Sequence, residues 1–442
     1  MPKNLAAWLS YIESLHTKPI AMGLDRVRMM IERAQLKPSF QVITVAGTNG
    51  KGSTCAMLEA IYIQAGYRVA CYTSPHLLRY NERVRVNGQQ AMDDELCLAF
   101  AAIESARLGE AGDPIALTYF EIGTLAAIWH FMQSNIDVAI LEVGLGGRLD
   151  AVNAFEPNCA IVTSVDLDHQ DFLGDTREKI GLEKSGVYRQ AVSAICGDRS
   201  PPNSLINFAN QIQADLKLIQ QDFDGQLYLD GWQYRLGNRL LYTLPLPALK
   251  GEYQLGNAAC AITAVESLQS ILPVNKDAIA NALLQVKLAG RFQTVSQSPQ
   301  IILDVAHNPH AARAFASNLM ASRNEKQHKV FAVFAILADK DIKGVVEAVK
   351  TEVDVWYVAS ISNVRGALAD DVALIIKELV TDAKIKTFGL VEDAYLQACI
   401  DLEACIDASE NDKIAVFGSF FTVSSVMQLL ENQSASCAEA KP

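Results

Sequence analysis

Residues 41–54 read QVITVAGTNGKGST, and this stretch decides the fold of the first half of the chain. An apolar, β-branched run precedes a glycine-rich turn, and a helix-like segment follows it. Glycine lets the backbone bend sharply, so that N–H groups and the positive end of the following helix can face one anion. Lys51 can reach the outer phosphates, and Ser53 or Thr54 can meet a magnesium ion. The order of strand, glycine turn, lysine and helix predicts a site for a nucleoside triphosphate.

The spacing of this turn departs from the common P-loop, which has a longer spacer before its Gly-Lys pair and a hydroxyl residue directly after the lysine. Here only Thr48 and Asn49 separate Gly47 from Gly50, and Gly52 follows the lysine. The alternative is an ordinary strand-to-helix turn with a chance lysine. Because strand, loop and helix occur in the confirming order, the phosphate site is favoured.

Length and charge limit the classes of protein that fit. The chain has 442 residues, 50% of them hydrophobic, and a net charge of −12. At that length about two or three domains are expected. A protein that binds the phosphate backbone of nucleic acids needs a basic face, so this acidic chain is not expected to bind nucleic acid.

Cysteine usage and the N-terminal segment bear on location. The nine cysteines are scattered without metal-type spacing, which indicates a reduced, cytoplasmic setting. The N-terminal segment has no basic region followed by a long apolar run, so no signal peptide is predicted. No apolar run of about 18 residues is present, so no membrane span is expected.

Alternating strand-like and helix-like segments predict an N-terminal P-loop-type α/β domain over 1–286 with a mainly parallel sheet. The runs at 137–144 and 159–165 are continuously apolar, as expected for strands buried on both faces. Residues 224–243 alternate apolar and polar residues around turns and read as small hairpins. Helices are predicted near 93–107, 118–134, 176–189, 258–270 and 276–286.

A smaller, C-terminal Rossmann-like α/β domain is predicted over 287–432. It lacks the GxGxxG fingerprint, so a dinucleotide is not implied. The polar segment 433–442 is predicted to be a disordered tail. The strand candidates of this domain are 301–306, 330–336, 353–359 and 413–419.

Glu142 is a candidate metal ligand. It ends a buried strand, and an acidic group at such a strand end commonly holds Mg²⁺ or its waters in phosphate-binding proteins. The glycines that follow, Gly144, Gly146 and Gly147, are expected to leave room for a ligand. A strand-end carboxylate that simply reaches solvent is the alternative.

Two further segments carry charged candidates. Asp166, Asp168, His169 and Asp171 cluster after another buried strand, and on their own they fit a Mg²⁺ site and a solvated acidic loop equally well. Lys184, which lies in a helix-like segment, reads by its spacing as a surface lysine.

The segment LTYFEIGT (117–124) opens a helix. Thr118 and Glu121 fit a capping box, which explains both residues without any function. Capping does not explain the adjacent rings of Tyr119 and Phe120, which could stack on a flat ring.

In the second half, LDVAHNPHA (303–311) places Asp304 and His307 at a strand end and Asn308 near a helix start. Open α/β sheets bind ligands where a strand gives way to a helix. A histidine satisfied inside the core is the alternative.

Nine separated motifs together resemble the folylpolyglutamate synthase/dihydrofolate synthase family, which is related to the Mur cell-wall ligases. The resemblance spans nearly the whole chain, and the likeness is closest to the bifunctional bacterial enzymes. In chain order the motifs are GTNGKGS, SPHLLRYNERVRVNG, LTYFEIGTLAA, LEVGLGGRLDAVN, TSVDLDHQDFLG, EKSGV, GRF, DVAHNPHA and GSFFTV.

The resemblance implies an ATP and metal site. One Mg²⁺ would be held by Ser74 and a second by Glu142 and His169, and K⁺ is a further cation that the family admits. Lys184 matches a lysine that carries a carbamate, which would make it a further Mg²⁺ ligand. The catalytic set would consist of Lys51, Glu142, His169 and Lys184. The residues implied at ATP are Thr48, Asn49, Gly50, Lys51, Gly52, Ser53, Asn257, Arg291 and Asp304.

The resemblance also implies a substrate site. His307 and Ser419 match positions near the incoming L-glutamate. Bifunctional relatives carry an acidic residue where Ala21 stands, which bears on the pteroate contacts, and a histidine where Phe421 stands, which removes Phe421 as a proton-transfer group. The residues implied at the pterin or folate are Ala21, Met22, Gly23, Leu24, Thr118, Tyr119, Phe120, Glu121, Leu149, Asp150 and Ala151.

The implied activity is the ATP-dependent joining of L-glutamate to dihydropteroate, giving dihydrofolate, and to the γ-carboxylate of folates. The acceptor carboxylate would attack the γ-phosphate of ATP, and the α-amino group of glutamate would then displace phosphate from the acyl phosphate. Closure of the two domains would exclude water from that intermediate. A monomer without nucleic-acid or membrane partners is expected.

Four other activities compete with this interpretation: extension of folates alone, a Mur-type ligase acting on uridine-linked substrates, a non-catalytic ATP switch, and a phosphotransferase acting on a hydroxyl. The LTYFE segment favours a folate substrate over a Mur-type one. The set of Glu142, His169 and Lys184 argues against a switch, because a switch needs no second metal site. A phosphotransferase would turn over ATP without any added amine.

Overall fold

The computed structural model describes residues 2–16, 20–109, 112–322, 329–404 and 412–439, the last five of these by their backbone alone. The chain divides into two compact units. The first comprises Met1–Ala248 and Glu252–Lys287, and the second comprises Leu249–Gly251 and Leu288–Pro442. No helix within the described ranges combines the length and the apolarity that crossing a bilayer requires.

An eight-stranded sheet forms the centre of the first unit. Its strands are β1 (Gln41–Ala46), β2 (Val69–Tyr72), β3 (Val84–Val86), β4 (Gln89–Gln90), β5 (Val138–Glu142), β6 (Cys159–Val162), β7 (Ser193–Cys196) and β8 (Asp215–Leu218). The order is β4-β3-β2-β5-β1-β6-β7-β8, with parallel pairing from β2 to β8. Only β3 and β4 join antiparallel within these described strands. The mainly parallel sheet predicted from the apolar runs is confirmed, because every residue of β5 and β6 is buried.

Helices cover both faces of this sheet. They are α1 (Leu5–Ser14), α2 (Asp25–Arg33), α3 (Lys51–Gln64), α4 (Asp93–Leu108), α5 (Tyr119–Gln133), α6 (Gln170–Leu173), α7 (Arg177–Ser185), α8 (Asn203–Gln211), α9 (Tyr253–Ser267) and α10 (Lys276–Gln285). Helix α7 is shorter than the predicted 176–189, since it ends at Gly186 as its C-cap. Helix α9 begins five residues earlier than predicted, because the glycine at 256 is accommodated inside the helix.

The hairpins predicted over 224–243 form a separate three-stranded antiparallel sheet. Its strands are β9 (Phe223–Tyr228), β10 (Gly231–Leu236) and β11 (Arg239–Pro245), in the order β11-β10-β9. The rings of Trp232 and Tyr234, on alternate positions of β10, are fully buried, so one face of this sheet packs against the unit.

The second unit contains a six-stranded sheet in the order β12-β13-β17-β14-β15-β16. Its strands are β12 (Gln293–Gln297), β13 (Gln300–Leu303), β14 (Val330–Phe334), β15 (Val355–Ala359), β16 (Lys384–Phe388) and β17 (Lys413–Phe417). Its helices are α11 (Pro309–Ala321), α12 (Ile342–Val349), α13 (Ala369–Leu379), α14 (Val391–Glu403) and α15 (Phe420–Glu439). All neighbours pair in parallel except β12 with β13.

The expected disordered tail over 433–442 is corrected in part by helix α15. This helix continues through Glu439, so residues 433–439 are helical. No glycine or proline interrupts the sequence between Phe420 and Glu439, and the helix can therefore extend through a polar segment. Residues 440–442 lie outside the described residues.

Candidate active site

The glycine turn after β1 enters α3 with left-handed backbone geometry. Gly50 is the N-cap of α3, with φ 86° and ψ −13°, and it supplies no side-chain hydrogen bond. A Cβ atom on Gly50 would lie 2.5 Å from Oδ1 of Asn257, and one on Gly47 would lie 1.9 Å from Oγ1 of Thr163. Both positions therefore require glycine. Because the N-cap residue supplies no side-chain acceptor, the first-turn N–H groups of α3 are suited to an anion.

Lys51, the first residue of α3, folds back over this turn. Its Nζ donates hydrogen bonds to the carbonyl oxygens of Gly47 at 3.0 Å and of Thr48 at 3.2 Å. The Thr48 hydroxyl bonds both the N–H and the carbonyl of Asp166. The ammonium group is thus held at the mouth of the turn, where an outer phosphate would lie.

Ser164 and Thr163, which follow β6, brace the same turn. The Ser164 hydroxyl accepts a hydrogen bond from the N–H of Asn49 at 3.0 Å, and the Thr163 hydroxyl donates to the carbonyl of Asn49 at 2.6 Å. Deeper in the site, the hydroxyl of Ser53 accepts a hydrogen bond from the amide of Gln254 at 3.3 Å. Sequence reasoning missed these partners, although the residues TS directly after a buried strand were a usable signal.

Glu142 and Ser74 lie together at the carboxyl edge of the sheet. Glu142 closes β5 opposite Val45 of β1, and it is 5% exposed. Its Oε2 accepts a hydrogen bond from the N–H of Ser74 at 3.2 Å. The carboxylate is therefore held inside the protein, and the reading of Glu142 as a strand-end group that reaches solvent is wrong.

His169 follows β6 at the same edge of the sheet. It is the N-cap of α6 in a left-handed conformation, with φ 51° and ψ 42°. Its N–H donates to Oδ1 of Asp168 at 2.9 Å, so the carboxylate fixes the strained backbone of the loop.

Lys184 is buried, and the reading of it as a surface lysine is wrong. Only 4% of the residue is exposed. Burial, reinforced by the charge of Lys51, lowers the pKa of Lys184 to about 7. Within the described residues its amine makes no hydrogen bond or ion pair, and the lowered pKa leaves the amine partly neutral at neutral pH.

The glycines of the loop after Glu142 let protein atoms approach the backbone closely. A Cβ on Gly144 would lie 2.6 Å from the Phe120 ring, and one on Gly147 would lie 2.8 Å from the carbonyl oxygen of Lys184. This close approach buries Lys184. In the same loop Asp150 accepts hydrogen bonds from the N–H groups of Leu145 and Val152, and burial raises its pKa to about 6.

The acidic and histidine side chains at this edge do not by themselves make a complete site for a divalent cation, so a further ligand is needed. The described part of the chain has no cluster of three or more His, Cys, Asp or Glu side chains able to hold a metal. Glu142 supplies one buried carboxylate, and charged Lys184 would repel a cation. As a carbamate, Lys184 would carry the opposite charge and oxygen ligands.

The segments implied in pterin binding adjoin one another. The N–H of Gly23 donates to the carbonyl of Leu149 at 3.4 Å, which links the segment 21–24 to the segment 149–151. The capping box at the start of α5 is present, with Glu121 accepting the N–H of Thr118 at 2.7 Å. The three segments therefore come together beside the glycine loop.

Arg26 connects two of these segments, and sequence reasoning missed it. Its Nη2 donates at 2.8 Å both to Oε1 of Glu121 and to the carbonyl oxygen of Ala21. Glu121 thus has a second partner besides its cap. Arg26 fixes the position of the segment that contains Ala21.

Comparisons with known proteins find relatives that match nearly the whole chain. Family models match the Mur ligase middle domain at residues 45–265 and the Mur ligase, glutamate ligase domain at residues 290–420. The dihydrofolate synthase/folylpolyglutamate synthase of Escherichia coli is 44% identical over 428 residues, 97% of this chain and 96% of that protein. The protein of the same name from Haemophilus influenzae is 37% identical over 97% of this chain and 98% of its own length.

The chain belongs to the dihydrofolate synthase/folylpolyglutamate synthase family.

Solved structures of this family share the fold over the full length. Escherichia coli FolC in complex with DHPP and ADP has a TM-score of 0.89 at 43% identity, covering 98% of this chain and 99% of that one. A bifunctional folylpolyglutamate synthase/dihydrofolate synthase with Mn, AMPPNP and L-glutamate bound has a TM-score of 0.86 at 44% identity, covering 97% and 98%. The resemblance to the family that the nine motifs indicated is confirmed.

Two of the residues that the family resemblance implies at ATP, Arg291 and Asp304, lie in the second unit. Asp304, which follows β13, accepts hydrogen bonds from the N–H groups of Phe292 at 2.7 Å and Ala306 at 2.8 Å, and burial raises its pKa. The guanidinium of Arg291 lies 5.3 Å from the centre of the Phe420 ring. These contacts bring Arg291 and Asp304 to the carboxyl edge of the second sheet.

His307 and Ser419 are on the same edge. The Nδ1 of His307 is 2.8 Å from the carbonyl oxygen of Val305, and the residue is partly exposed, so it is not a histidine enclosed in the core. The Ser419 hydroxyl accepts a hydrogen bond from the N–H of Thr422 at 3.0 Å. Phe421 is 50% exposed and lies on the surface at the start of α15.

Proposed function

We propose that this chain is an ATP-dependent ligase that joins L-glutamate to dihydropteroate, giving dihydrofolate, and to the γ-carboxylate of folates. The observation that carries the proposal is the uncapped N-terminus of α3 with Lys51 folded over it, at the same sheet edge as Glu142 and Ser74. Relatives named for both activities, at 44% and 37% identity over nearly the whole chain, support the two acceptors.

Lys51 and the backbone N–H groups of Gly50 to Ser53 are proposed to bind the β- and γ-phosphates. A carboxylate is a poor electrophile, so it must first attack the γ-phosphate to become an acyl phosphate. Fixed donors aimed at the transferring phosphoryl group stabilise the charge of that step. In that step the bond from the γ-phosphorus to the oxygen shared with the β-phosphate breaks, and ADP is the leaving group. The α-amino group of glutamate then attacks the acyl carbon, loses a proton and forms the amide bond, while the bond from the acyl carbon to phosphate breaks and phosphate leaves.

Ser74, Glu142, His169 and Lys184 are proposed to hold divalent cations. The chemistry a cation supplies there is neutralisation of the transferring phosphoryl group. Lys184 would react as a neutral amine with CO₂, forming an N–C bond and releasing a proton, and the product is a carbamate. Its burial and its lowered pKa, about 7, support this modification because only the neutral amine is nucleophilic.

The acceptor is proposed to lie against the adjoining segments 21–24, 118–121 and 149–151, with the rings of Tyr119 and Phe120 beside the pterin. Arg291 and Asp304 are proposed as further ATP contacts, with Asn257, and His307 and Ser419 as glutamate contacts. These assignments are supported by their motifs and by their places at the strand ends. The family resemblance supports a cytoplasmic monomer, and K⁺ as an additional cation, which sedimentation and activity titrations with KCl would test.

Mass analysis of products tests the proposal. The protein is incubated with ATP, Mg²⁺ and isotope-labelled L-glutamate, with dihydropteroate in one reaction and tetrahydrofolate in another. A mass gain of one glutamyl residue on both acceptors is expected. A gain on tetrahydrofolate alone would favour the second candidate, an enzyme that only extends folates. The observation that favours this candidate is Ala21, which stands where bifunctional relatives carry an acidic residue. ATP turnover without added glutamate would point to a phosphotransferase and contradict the ligase.

A further inference from the structure

Arg83 has an environment unlike that of its neighbours in the first unit. It closes the 3-10 helix Tyr80–Arg83, just before β3. Its Cζ lies 5.4 Å from the centre of the Tyr80 ring and 5.7 Å from that of Tyr119. Its Nε donates to Nδ1 of His76 at 2.8 Å. Two rings and an imidazole therefore hold the guanidinium plane, and the hydrogen bond to the imidazole uses Nε and not the two terminal nitrogens.

Those terminal nitrogens meet no carboxylate. Within the described ranges Arg83 forms no ion pair, and its guanidinium contacts the two rings and the imidazole. Six other arginines of this unit pair with carboxylates at 3.0 Å or less, whereas Arg33 and Arg68 donate to backbone carbonyl oxygens. These pairs are Arg26–Glu121, Arg85–Glu59, Arg107–Glu104, Arg148–Glu183, Arg177–Asp198 and Arg189–Glu156.

Arg85 shows what a structural arginine looks like at nearly the same place. It lies two residues farther along, in β3, and both its Nε and its Nη2 bond the carboxylate of Glu59. Arg83 has the same chemistry without such a partner. A rigid fork of donors that is positioned by aromatic rings but lacks a carboxylate is suited to receive one from outside the protein.

The position of Arg83 relates it to the reaction. Tyr119, one of its two rings, belongs to the segment proposed to hold the pterin. The carbonyl oxygen of Arg83 accepts the N–H of Thr73 at 2.9 Å, which places its backbone beside Ser74, the residue whose N–H bonds Glu142. An acceptor laid along Tyr119 with its acid end toward Glu142 would bring its carboxylate past Arg83.

We propose that the guanidinium of Arg83 binds a carboxylate of the acceptor substrate. The inference rests on the proposed function, because it assumes an acceptor whose acid group is activated at this edge. Two carboxylates have the right chemistry: the one that is to be phosphorylated, which every acceptor has, and the α-carboxylate of the terminal glutamate, which only folates have.

Equilibrium binding in the absence of ATP tests this proposal without relying on turnover. Wild-type protein and Arg83→Gln are titrated with dihydropteroate, with its uncharged methyl ester and with tetrahydrofolate. The variant is expected to bind the acids about 10- to 100-fold more weakly, as for loss of a charge-assisted bidentate pair, and to bind the ester within about 2-fold of wild type. Similar losses for both acids would assign the carboxylate that is activated, whereas a loss confined to tetrahydrofolate would assign the α-carboxylate.

Matched variants separate this role from a structural one. Arg79→Gln removes an exposed arginine of the same loop and is expected to leave all three affinities unchanged. Arg83→Lys keeps the charge without the fork and is expected to fall between wild type and Arg83→Gln. Thermal unfolding and ADP affinity of each variant report whether the unit remains folded.

Two results would overturn the inference. Unchanged affinity of Arg83→Gln for both acids would show that no acceptor carboxylate reaches it, and an equal loss for acid and ester would show that Arg83 only supports the Tyr119 ring. If wild-type protein forms glutamylated product while either result is obtained, the proposed function stands and this inference alone fails. If wild-type protein neither binds nor glutamylates an acceptor, both fail.

Discussion

The two units use the same junction, a buried parallel strand that runs into a helix, in opposite ways. In the first unit β1 leads through glycines to α3, whose N-cap Gly50 contributes no side chain. In the second unit β13 leads to α11, whose N-cap Asn308 accepts the N–H of Ala311 at 2.9 Å and whose first residue is Pro309. The first junction leaves its helix donors to a ligand, whereas the second satisfies its own.

This difference explains which kind of group each junction can bind. Open backbone donors with an adjacent ammonium suit the oxygens of phosphates, which need many donors and little side-chain specificity. A self-capped helix leaves binding to side chains, and at the second junction these are the carboxylate of Asp304, the imidazole of His307 and the guanidinium of Arg291. The difference therefore supports the proposed binding of the phosphates in the first unit.

Removing the ammonium at the first junction should have the largest effect. Lys51→Met is expected to lower the rate of glutamate-dependent ADP formation by about 10³-fold, as for loss of a fixed donor to the transferring group. Steady-state assays with both acceptors measure it. Lys350→Met in the second unit, where the lysine pairs with Glu347 at 2.8 Å, is the matched control and should retain full activity. Comparable losses in the two variants would erase the contrast between the junctions.

Filling the turn itself should have the next largest effect. Gly50→Ala puts a Cβ 2.5 Å from Oδ1 of Asn257 in a left-handed backbone, and ATP affinity is expected to fall about 10²-fold, or ~2.7 kcal/mol. Gly66→Ala is the control, because Gly66 has a similar φ of 91° and open space around its Cβ. It should cost about 1–2 kcal/mol of stability and leave ATP affinity unchanged. Equal nucleotide affinities of the two variants would argue against a phosphate site here.

The lowered pKa of Lys184 gives the third contrast. A lysine with a pKa of about 7 is mostly protonated below that value and mostly neutral above it. The neutral fraction that can react with CO₂ is therefore about 10-fold smaller at about pH 6 than at about pH 8, and carbamate formed from ¹³C-bicarbonate, measured by ¹³C NMR, should be lower at the lower pH. Lys413 of the second unit is also buried, but its Nζ donates to the carbonyl and hydroxyl oxygens of Ser322 at 2.6 Å.

The resonance at about pH 8 should disappear in Lys184→Gln and persist in Lys413→Gln. No bicarbonate-dependent resonance in wild-type protein at that pH would remove the carbamate from the proposed metal site.

The smallest effect is expected at the cap of the second junction. Asn308→Ala removes the hydrogen bond to the N–H of Ala311 and should lower the free energy of unfolding by about 1 kcal/mol. Denaturant titration measures the loss, with Asn275→Ala at the cap of α10 as a matched change. Because the second junction is not assigned to the phosphates, Asn308→Ala should not weaken ATP binding. A large loss of ATP affinity would place phosphates at the second junction as well.

Much of the fold could be predicted because buried parallel strands leave a strong local signal. The runs that became β5 and β6 are apolar except for Glu142 at the end of β5, and the glycine turn marks the start of α3. The strands β12 and β16 were missed because they lie at the two edges of the second sheet, where most of their residues are exposed and no apolar run forms.

The site was predicted less completely because its decisive contacts are distant in sequence. Arg26 meets Glu121 across 95 positions, and no local pattern indicates that pairing. Lys184 follows Glu183 in a polar segment and reads as exposed, yet the glycine loop packs on its backbone and buries it. Burial imposed by another segment changes the chemistry of a residue without changing its neighbours in the sequence.

Transfer of oxygen from the acceptor tests most directly whether the first junction activates a carboxylate. Dihydropteroate with both carboxylate oxygens labelled with ¹⁸O is converted to product with ATP and L-glutamate, and the released phosphate is analysed by mass. The account predicts that one labelled oxygen appears in phosphate for each amide bond formed, since the bond from acyl carbon to that oxygen breaks when glutamate attacks. Amide formation with unlabelled phosphate would contradict it.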